Sequence, residues 1–209
     1  MTEDEIFAAV ALERLTLADV FEALTPEQLA TPSLCEGWTV KHVAAHLTML
    51  FNVSTAGLLM RSLGENLSIS RTIDGVTQDL ARRPIEGIVN QLRDFAFDRR
   101  HMPRRPMAPL VDLIVHGEDV RRPLGLDHPL PFAWSRASMS FLTAGRAFGF
   151  VPSSRLRGLR FVATDGDGQW GQGVDVIHGP VLSLVLAIMG RRVALKDLGG
   201  PVQILTDRL

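Results

Sequence analysis

The chain has 209 residues, of which 46% are hydrophobic, and its formal net charge at pH 7 is −1. This composition excludes wholesale disorder, and the even mixture of acids and bases gives no basic surface for a nucleic acid or an anionic membrane. The single cysteine, Cys35, excludes an internal disulfide. Because the acidic amino terminus lacks the basic region of a signal peptide and the longest apolar run, 181–189, is short, we expect a cytoplasmic protein without a membrane partner.

Hydrophobic periodicity predicts four helices in the first part of the chain. The first covers residues 3–23 and is followed by a short capped turn of helix at 25–28. The second begins after an N-cap at Thr39 and runs to about residue 63, before the breaker at 64–66. A third helical region covers about 70–100 with a break caused by Pro84, and a fourth covers 107–122. Four helices with such connections predict a bundle.

The pattern changes after a fifth predicted helix at 131–148. Residues 158–164 alternate like a strand, 165–168 form a turn, and 169–177 complete a small antiparallel sheet. A helix then starts at Gly179-Pro180 and ends at Gly190, and a last edge strand covers 201–205. We therefore predict a mainly α chain, with a helical bundle at 1–150 and a small α+β domain at 151–209.

His46 is a candidate ligand because of its place on the second helix. Val40, Val43 and Leu47 recur at the spacing of one helical face, and His46 lies within roughly 60° of the centre of that face. His42, one turn earlier, lies further toward the rim. A lone histidine at such a position is more often a hydrogen-bonded core residue than a ligand, so His46 alone predicts no metal site.

Asp112 and His116 strengthen the case because they are four residues apart on the fourth helix. That spacing stacks a carboxylate and an imidazole on one face. A divalent cation bound by both residues and His46 would offset the cost of burying the carboxylate, and three protein ligands leave a position for water or substrate. The alternatives are a buried Asp112–His116 ion pair, or an Asp112 placed early in its helix to suit the helix dipole.

Two segments carry a resemblance to a known family. Residues 34–47, which contain Cys35, Gly37-Trp38 and Ala45-His46-Leu47, resemble a motif of the DinB-like superfamily, in particular the actinobacterial branch related to mycothiol-dependent maleylpyruvate isomerase. Residues 112–125 look like a second motif of that branch, and residues 170–191 are similar to its small carboxy-terminal domain. The resemblance implies a DinB-like four-helix bundle followed by a small α+β domain.

The resemblance also implies a metal site, in which His46, Asp112 and His116 are the ligands and zinc is the metal. The family pattern more often has glutamate where this chain has Asp112, and a shorter carboxylate requires a closer backbone. His42 is an additional imidazole that could be a fourth ligand, a supporting group or a surface side chain, the last being favoured. Asp119 could orient the ring of His116 or pair with Arg122, and the pairing is favoured. Cys35 is interpreted as a packing residue.

The implied activity is thiol chemistry. A metal with an open position could bind a low-molecular-weight thiol such as mycothiol, lower its pKa and present a thiolate to a small electrophile. The sequence therefore favours a metal- and thiol-dependent transferase or isomerase. The alternative is a non-catalytic metal- or ligand-binding protein with the same fold. The small carboxy-terminal domain could cover the site or serve a homodimer.

Overall fold

The computed structural model describes residues 1–64, 68–101, 104–145, 147 and 149–209, apart from the side chains of Thr55 and Leu59. These residues form two compact units. The bundle unit contains residues 7–100 and 112–128, and the sheet unit contains residues 1–6, 101–111 and 129–209. The expected division of the sequence into 1–150 and 151–209 stays a prediction, because compactness in space is a different property from independent folding.

The first eight helices lie close to the helical regions that periodicity predicts, although one predicted helix is divided into three. The first predicted helix is confirmed, and so is the short helix after it, where Thr25 and Gln28 form a capping box through Thr25 N–Gln28 Oε1 at 2.9 Å and Gln28 N–Thr25 Oγ1 at 3.3 Å. The helices are α1 Glu3–Ala23, α2 Pro26–Leu29, α3 Val40–Leu47, α4 Met49–Asn52, α5 Thr55–Gly64, α6 Ile69–Ala81, α7 Ile85–Asp94 and α8 Ala108–Leu124.

The second predicted helix is wrong as a single element, because it is interrupted at Thr48 and again at Val53. The Thr48 hydroxyl donates to the Ala45 carbonyl at 2.8 Å, and the Asn52 side chain donates to the Thr48 carbonyl at 2.8 Å. Such side-chain bonds compete with the helical ladder and end the helix. The break at Pro84 is confirmed, since α6 ends at Ala81 and α7 begins directly after the proline. The predicted breaker at 65–66 lies outside the described residues.

Helix α3 lies at the centre of the bundle unit, where it packs on α2, α6 and α7. Val40, Val43, Ala44 and Ala45 are fully buried on it, and the small alanines let neighbouring helices approach closely. His46 follows these residues directly, so the local sequence places an imidazole at the edge of a tightly packed core. The packing of α3 therefore fixes the position of this histidine without any ligand.

The sheet unit contains five further helical segments and three strands. They are α9 Phe132–Thr143, α10 Ser153–Leu156, β1 Leu159–Ala163, β2 Gln169–Trp170, β3 Asp175–Gly179, α11 Val181–Ile188, a 3₁₀ helix at Arg192–Asp197 and α12 Val202–Thr206. Helix α11 is apolar around most of its circumference because it is covered by α9, β1, β3 and the 3₁₀ helix. Within the described chain, no helix is both long and apolar enough to cross a membrane.

The sheet has the order β2-β1-β3, and its expected antiparallel arrangement is wrong for one pair. Strands β1 and β2 are antiparallel, whereas β1 and β3 are parallel, with Phe161 opposite Ile177. The link from β2 to β3 crosses the start of β1. A Cβ atom on Gly173 of this link would lie 1.9 Å from the Gly158 carbonyl oxygen, so only glycine fits the crossing. Residue alternation predicts strands but carries no information about their direction.

The predicted edge strand at 201–205 is also wrong, because this segment forms helix α12. Its Leu205 side chain is fully buried, and the Thr206 hydroxyl donates to the Val202 carbonyl at 3.1 Å. A short apolar run after a proline fits either a strand or a helical turn, and periodicity over five residues cannot separate the two.

Candidate metal centre

His46 is held at the end of α3 with its ring largely buried. Its side chain is 8% exposed, its Nδ1 atom lies 3.4 Å from the Thr77 hydroxyl, and its Nε2 atom lies 3.8 Å from Asp112 Oδ1. In the tautomer with its proton on Nδ1, the N–H can donate to Thr77, and the Nε2 lone pair faces the Asp112 carboxylate, where a cation would lie between them. The apolar face of α3 therefore presents one imidazole nitrogen to α8.

Helix α8 supplies two more donor atoms. His116 Nε2 lies 3.6 Å from the same Asp112 oxygen, so both imidazoles face one carboxylate. The Asp112 side chain is 36% exposed, which gives this side of the cluster access to solvent. Asp112 is the fifth residue of α8, beyond the first turn, and the helix-dipole explanation for it therefore does not hold.

The spacing of these donors fits a shared divalent cation. The three ligand atoms lie within 4.8 Å of one another, and the 3.6 and 3.8 Å separations exceed the roughly 2.7–2.9 Å of a charged hydrogen bond. Two ligands about 2.0–2.1 Å from a tetrahedral zinc ion are themselves about 3.3–3.4 Å apart. Two imidazole nitrogens and a carboxylate oxygen also form a donor set that zinc accepts. Both the distances and the chemistry of the donors therefore suit the metal implied by the resemblance.

Asp119 fixes the ring of His116 from the other side. The Asp119 side chain is fully buried, and its Oδ2 atom accepts from His116 Nδ1 at 2.9 Å and from the Cys35 thiol at 3.1 Å. These short distances are those of hydrogen bonds, so we interpret Cys35, His116 and Asp119 as a supporting network. A carboxylate on the far nitrogen of a metal-binding histidine orients the ring and strengthens the ligand.

Sequence reasoning favoured a pairing of Asp119 with Arg122, and it placed Cys35 among the packing residues. The structure brings Asp119 and Cys35 to His116, and the Arg122 Nε atom donates to Glu118 Oε2 at 2.9 Å. On a helix, Asp119 can reach three residues back or three residues forward, so spacing alone could not choose between these partners.

The charge state of His116 follows from its neighbours. Burial lowers the pKa of its imidazole, but the hydrogen bonds to Asp119 and Cys35 and the negative charge of Asp112 outweigh burial and raise that pKa to about 10. Without a cation, His116 is therefore charged at neutral pH. A metal ion that binds its Nε2 atom has to displace a proton.

His42 takes part in the helix cap. Its Nδ1 atom accepts from the Thr39 backbone N–H at 3.2 Å, and its Nε2–H donates to Gln78 Oε1 at 2.9 Å. Both ring nitrogens are thus engaged by hydrogen bonds that join the start of α3 to α6. The sequence left three roles open for His42. This geometry leaves neither ring nitrogen free to bind a metal.

Trp38 is a neighbour of the centre that sequence reasoning missed. The centroids of its rings and of His46 are 5.0 Å apart, and the corresponding distance to His116 is 6.2 Å. Its indole Nε1–H donates to Asp74 Oδ1 at 2.7 Å. The sequence did contain one indication of this contact. Trp38 directly precedes the Thr39 cap, and this position directs its large aromatic side chain onto the face of α3 that carries His46.

Imidazole and carboxylate donors that meet between helices are the arrangement from which metal sites in helical bundles are built. Residues 10–62 match the family model of the mycothiol maleylpyruvate isomerase N-terminal domain, which confirms the resemblance found in the motifs. In fold, the chain is similar to two crystal structures of mycothiol-dependent maleylpyruvate isomerase, the first a histidine-to-alanine mutant, with TM-scores of 0.59 and 0.55 at 14% and 16% identity. Each comparison covers 96% of this chain and 93% of the other, which confirms the DinB-like fold class. Among curated proteins, none matches the sequence.

Proposed function

We propose that this protein is a metal-dependent enzyme that uses a low-molecular-weight thiol of the mycothiol kind to isomerise or conjugate a small electrophile. The observation that carries the proposal is the convergence of His46 Nε2, Asp112 Oδ1 and His116 Nε2, with separations of 3.6 and 3.8 Å about a half-exposed carboxylate. The similar solved structures are of a mycothiol-dependent isomerase, and the matched family model names the same thiol.

In this proposal, His46, Asp112 and His116 would hold a divalent metal, with zinc as the first candidate. When bound, such an ion acts as a Lewis acid that lowers the pKa of a thiol and so supplies a thiolate at neutral pH. Asp119 keeps the Nδ1 proton of His116, and this leaves the Nε2 atom as the ligand. The indole rings of Trp38 lie beside the two imidazole rings and give the proposed site an apolar neighbour.

The first experiment measures metal content per chain in protein purified without a chelating tag. Wild type, His46→Ala, His116→Ala and His42→Gln form the set, and His42→Gln is the matched control because glutamine preserves the capping box on the same helix. We expect about one equivalent of zinc in wild type and in His42→Gln, as a three-ligand site requires, and almost none in the two alanine variants.

The second experiment adds mycothiol and a generic electrophile to the metal-loaded protein and follows the loss of free thiol. Turnover that disappears in His116→Ala supports the enzyme. Metal binding without thiol binding or turnover would instead favour the alternative of a non-catalytic binding protein. A wild type that refuses added zinc would contradict both metal-based functions and leave Asp112 and His116 as a structural pair.

A further inference from the structure

The sheet unit contains a cavity that the proposed enzymatic function does not use. Its volume is about 490 Å³, which lies within the range of roughly 300–1,000 Å³ typical of small-molecule sites. It is bounded by the first residues of the chain, the segment 104–107 and one face of α9. All of its lining residues belong to the sheet unit, and none is a candidate metal ligand.

The floor and the mouth of this cavity differ in character. Ile6, Met107 and Phe141 line it with apolar surface, and Ile6 is buried. Arg104 and Arg136 also line it, and both are exposed, which places them at the mouth. Among the described residues, the lining includes no acidic side chain. An apolar floor below two permanent positive charges is complementary to a molecule with an apolar body and an anionic head.

The two arginines are available for such a ligand. Across the described residues, neither guanidinium forms an ion pair, whereas Arg61, Arg93 and Arg121 each contact a carboxylate at 2.7 Å. Arg104 also has a positive φ of 62°, a left-handed conformation that is unfavourable for a residue other than glycine. The chain thus holds a strained backbone at the position that brings one of the two charges to the cavity.

We propose that this cavity binds an amphipathic carboxylate, with its hydrocarbon body on the apolar floor and its carboxylate between Arg104 and Arg136. Planar guanidinium groups bind carboxylates through paired N–H donors, so either arginine can hold the head group, and no acid competes for them among the described residues of the lining. The inference does not depend on the metal centre.

Decanoate is the probe for this proposal, and decanol is its neutral counterpart of equal chain length. Calorimetric titration of the wild-type chain should give saturable decanoate binding with a Kd on the order of 100 µM, which about a dozen heavy atoms can provide. Decanol should bind several-fold more weakly. Arg136→Gln and Arg104→Gln should each weaken decanoate binding roughly fivefold to tenfold and leave decanol unchanged, because each removes one charged hydrogen-bond donor.

Two more variants complete the test. Arg82→Gln removes an arginine whose side chain is 82% exposed in the bundle unit, and it should leave decanoate binding at the wild-type value. Ala137→Phe fills the cavity from α9 and should abolish binding of both probes. Absence of saturable decanoate binding in wild type would overturn the proposal, and so would equal affinities for wild type and both arginine variants. Circular dichroism verifies folding; if Ala137→Phe does not fold, the two surface arginine variants decide.

Discussion

Helix α8 carries two charged clusters that differ in how closely their members meet. In the first, Asp112 Oδ1 lies 3.6 and 3.8 Å from two imidazole nitrogens, and the carboxylate is half-exposed. In the second, Arg121 Nη2 lies 2.7 Å from Glu13 Oε1, and both side chains are 1% exposed. The second cluster brings opposite charges into direct contact and excludes water, whereas the first brings donors together without contact and leaves room for a ligand.

This difference separates a pair that stabilises the fold from the site that we propose binds a metal. The Glu13–Arg121 pair has a third member, His128, whose Nε2 atom lies 3.5 Å from Glu13 Oε2. Burial raises the pKa of Glu13, although Arg121 and His128 act in the opposite direction. The charges of this cluster are already compensated by protein groups, so it has no need of a cation.

The strongest test of the contrast is Arg121→Met. It leaves the Glu13 carboxylate buried without its partner, so we expect the free energy of unfolding to fall by about 3–5 kcal/mol. Urea denaturation measures the loss, and Arg82→Met, at an exposed position, should stay within about 0.5 kcal/mol of wild type. The free energy of unfolding should fall less in the double variant Glu13→Leu/Arg121→Met than in Arg121→Met, because the double variant leaves neither charge of the pair buried. A midpoint for Arg121→Met equal to that of wild type would contradict the structural role.

Asp119→Asn tests the support of the metal centre. The amide cannot accept the His116 and Cys35 hydrogen bonds as a carboxylate does, so we expect zinc affinity to fall about 10- to 100-fold. Competition with a chromophoric chelator gives the affinity. Glu118→Gln is the matched control, since it removes the neighbouring carboxylate that bonds Arg122. Equal losses of zinc affinity in both variants would mean that Asp119 affects zinc binding only through the stability of the fold.

The pH dependence of stability should depend on the metal. In protein stripped with a chelator, the raised pKa of His116 stabilises the fold fully below about pH 6.5, the unfolded value, and this contribution is lost as pH rises toward about 10. The free energy of unfolding can change by about 1.4 kcal/mol per pH unit for one proton. Zinc-loaded protein should show the opposite trend, because the metal and the proton compete for Nε2. The free energy of unfolding, measured between pH 6.5 and 9 for wild type and for His116→Gln, tests the direction of both trends. If the free energy of unfolding of the stripped protein does not change with pH, His116 is not charged in the folded state.

Gly117→Ala should have the smallest effect. A Cβ atom at this position would lie 2.6 Å from Arg121 Nη1 and 3.3 Å from Glu13 Oε1, so the buried pair has to shift. The strain of about 1–3 kcal/mol is partly offset by the higher helix propensity of alanine, which leaves a net loss of about 1 kcal/mol. Thermal unfolding measures this loss, and zinc affinity should not change. A stabilised variant would show that the pair tolerates rearrangement.

Much of the bundle could be predicted because its determinants are local. Periodicity, the Thr25 cap and the Pro84 break each act within a few residues, and the structure confirms all three. The interruption at Thr48 was missed because a threonine fits a helix unless its hydroxyl bonds the preceding turn, which depends on packing.

The candidate site was predictable in its donors and less so in its surroundings. The four-residue spacing of Asp112 and His116 predicted one shared face, and the motif resemblance added His46 from another helix. The structure brings the three together, and their binding of a metal stays a prediction. The contacts of Asp119, Cys35 and Trp38 depend on how residues 30–37 lie against α8, where Leu34 N donates to the Asp119 carbonyl at 3.2 Å. No periodicity encodes that contact.

The link that crosses the start of β1 also sets an order of assembly for the small sheet. Strands β1 and β2 are close in sequence and form a local hairpin, whereas β3 reaches the opposite edge only after the chain has passed Gly158. Contacts that require such a passage form later than local ones. A side chain at residue 173 would therefore clash with the Gly158 carbonyl and prevent the passage that brings the last strand to its place in the sheet.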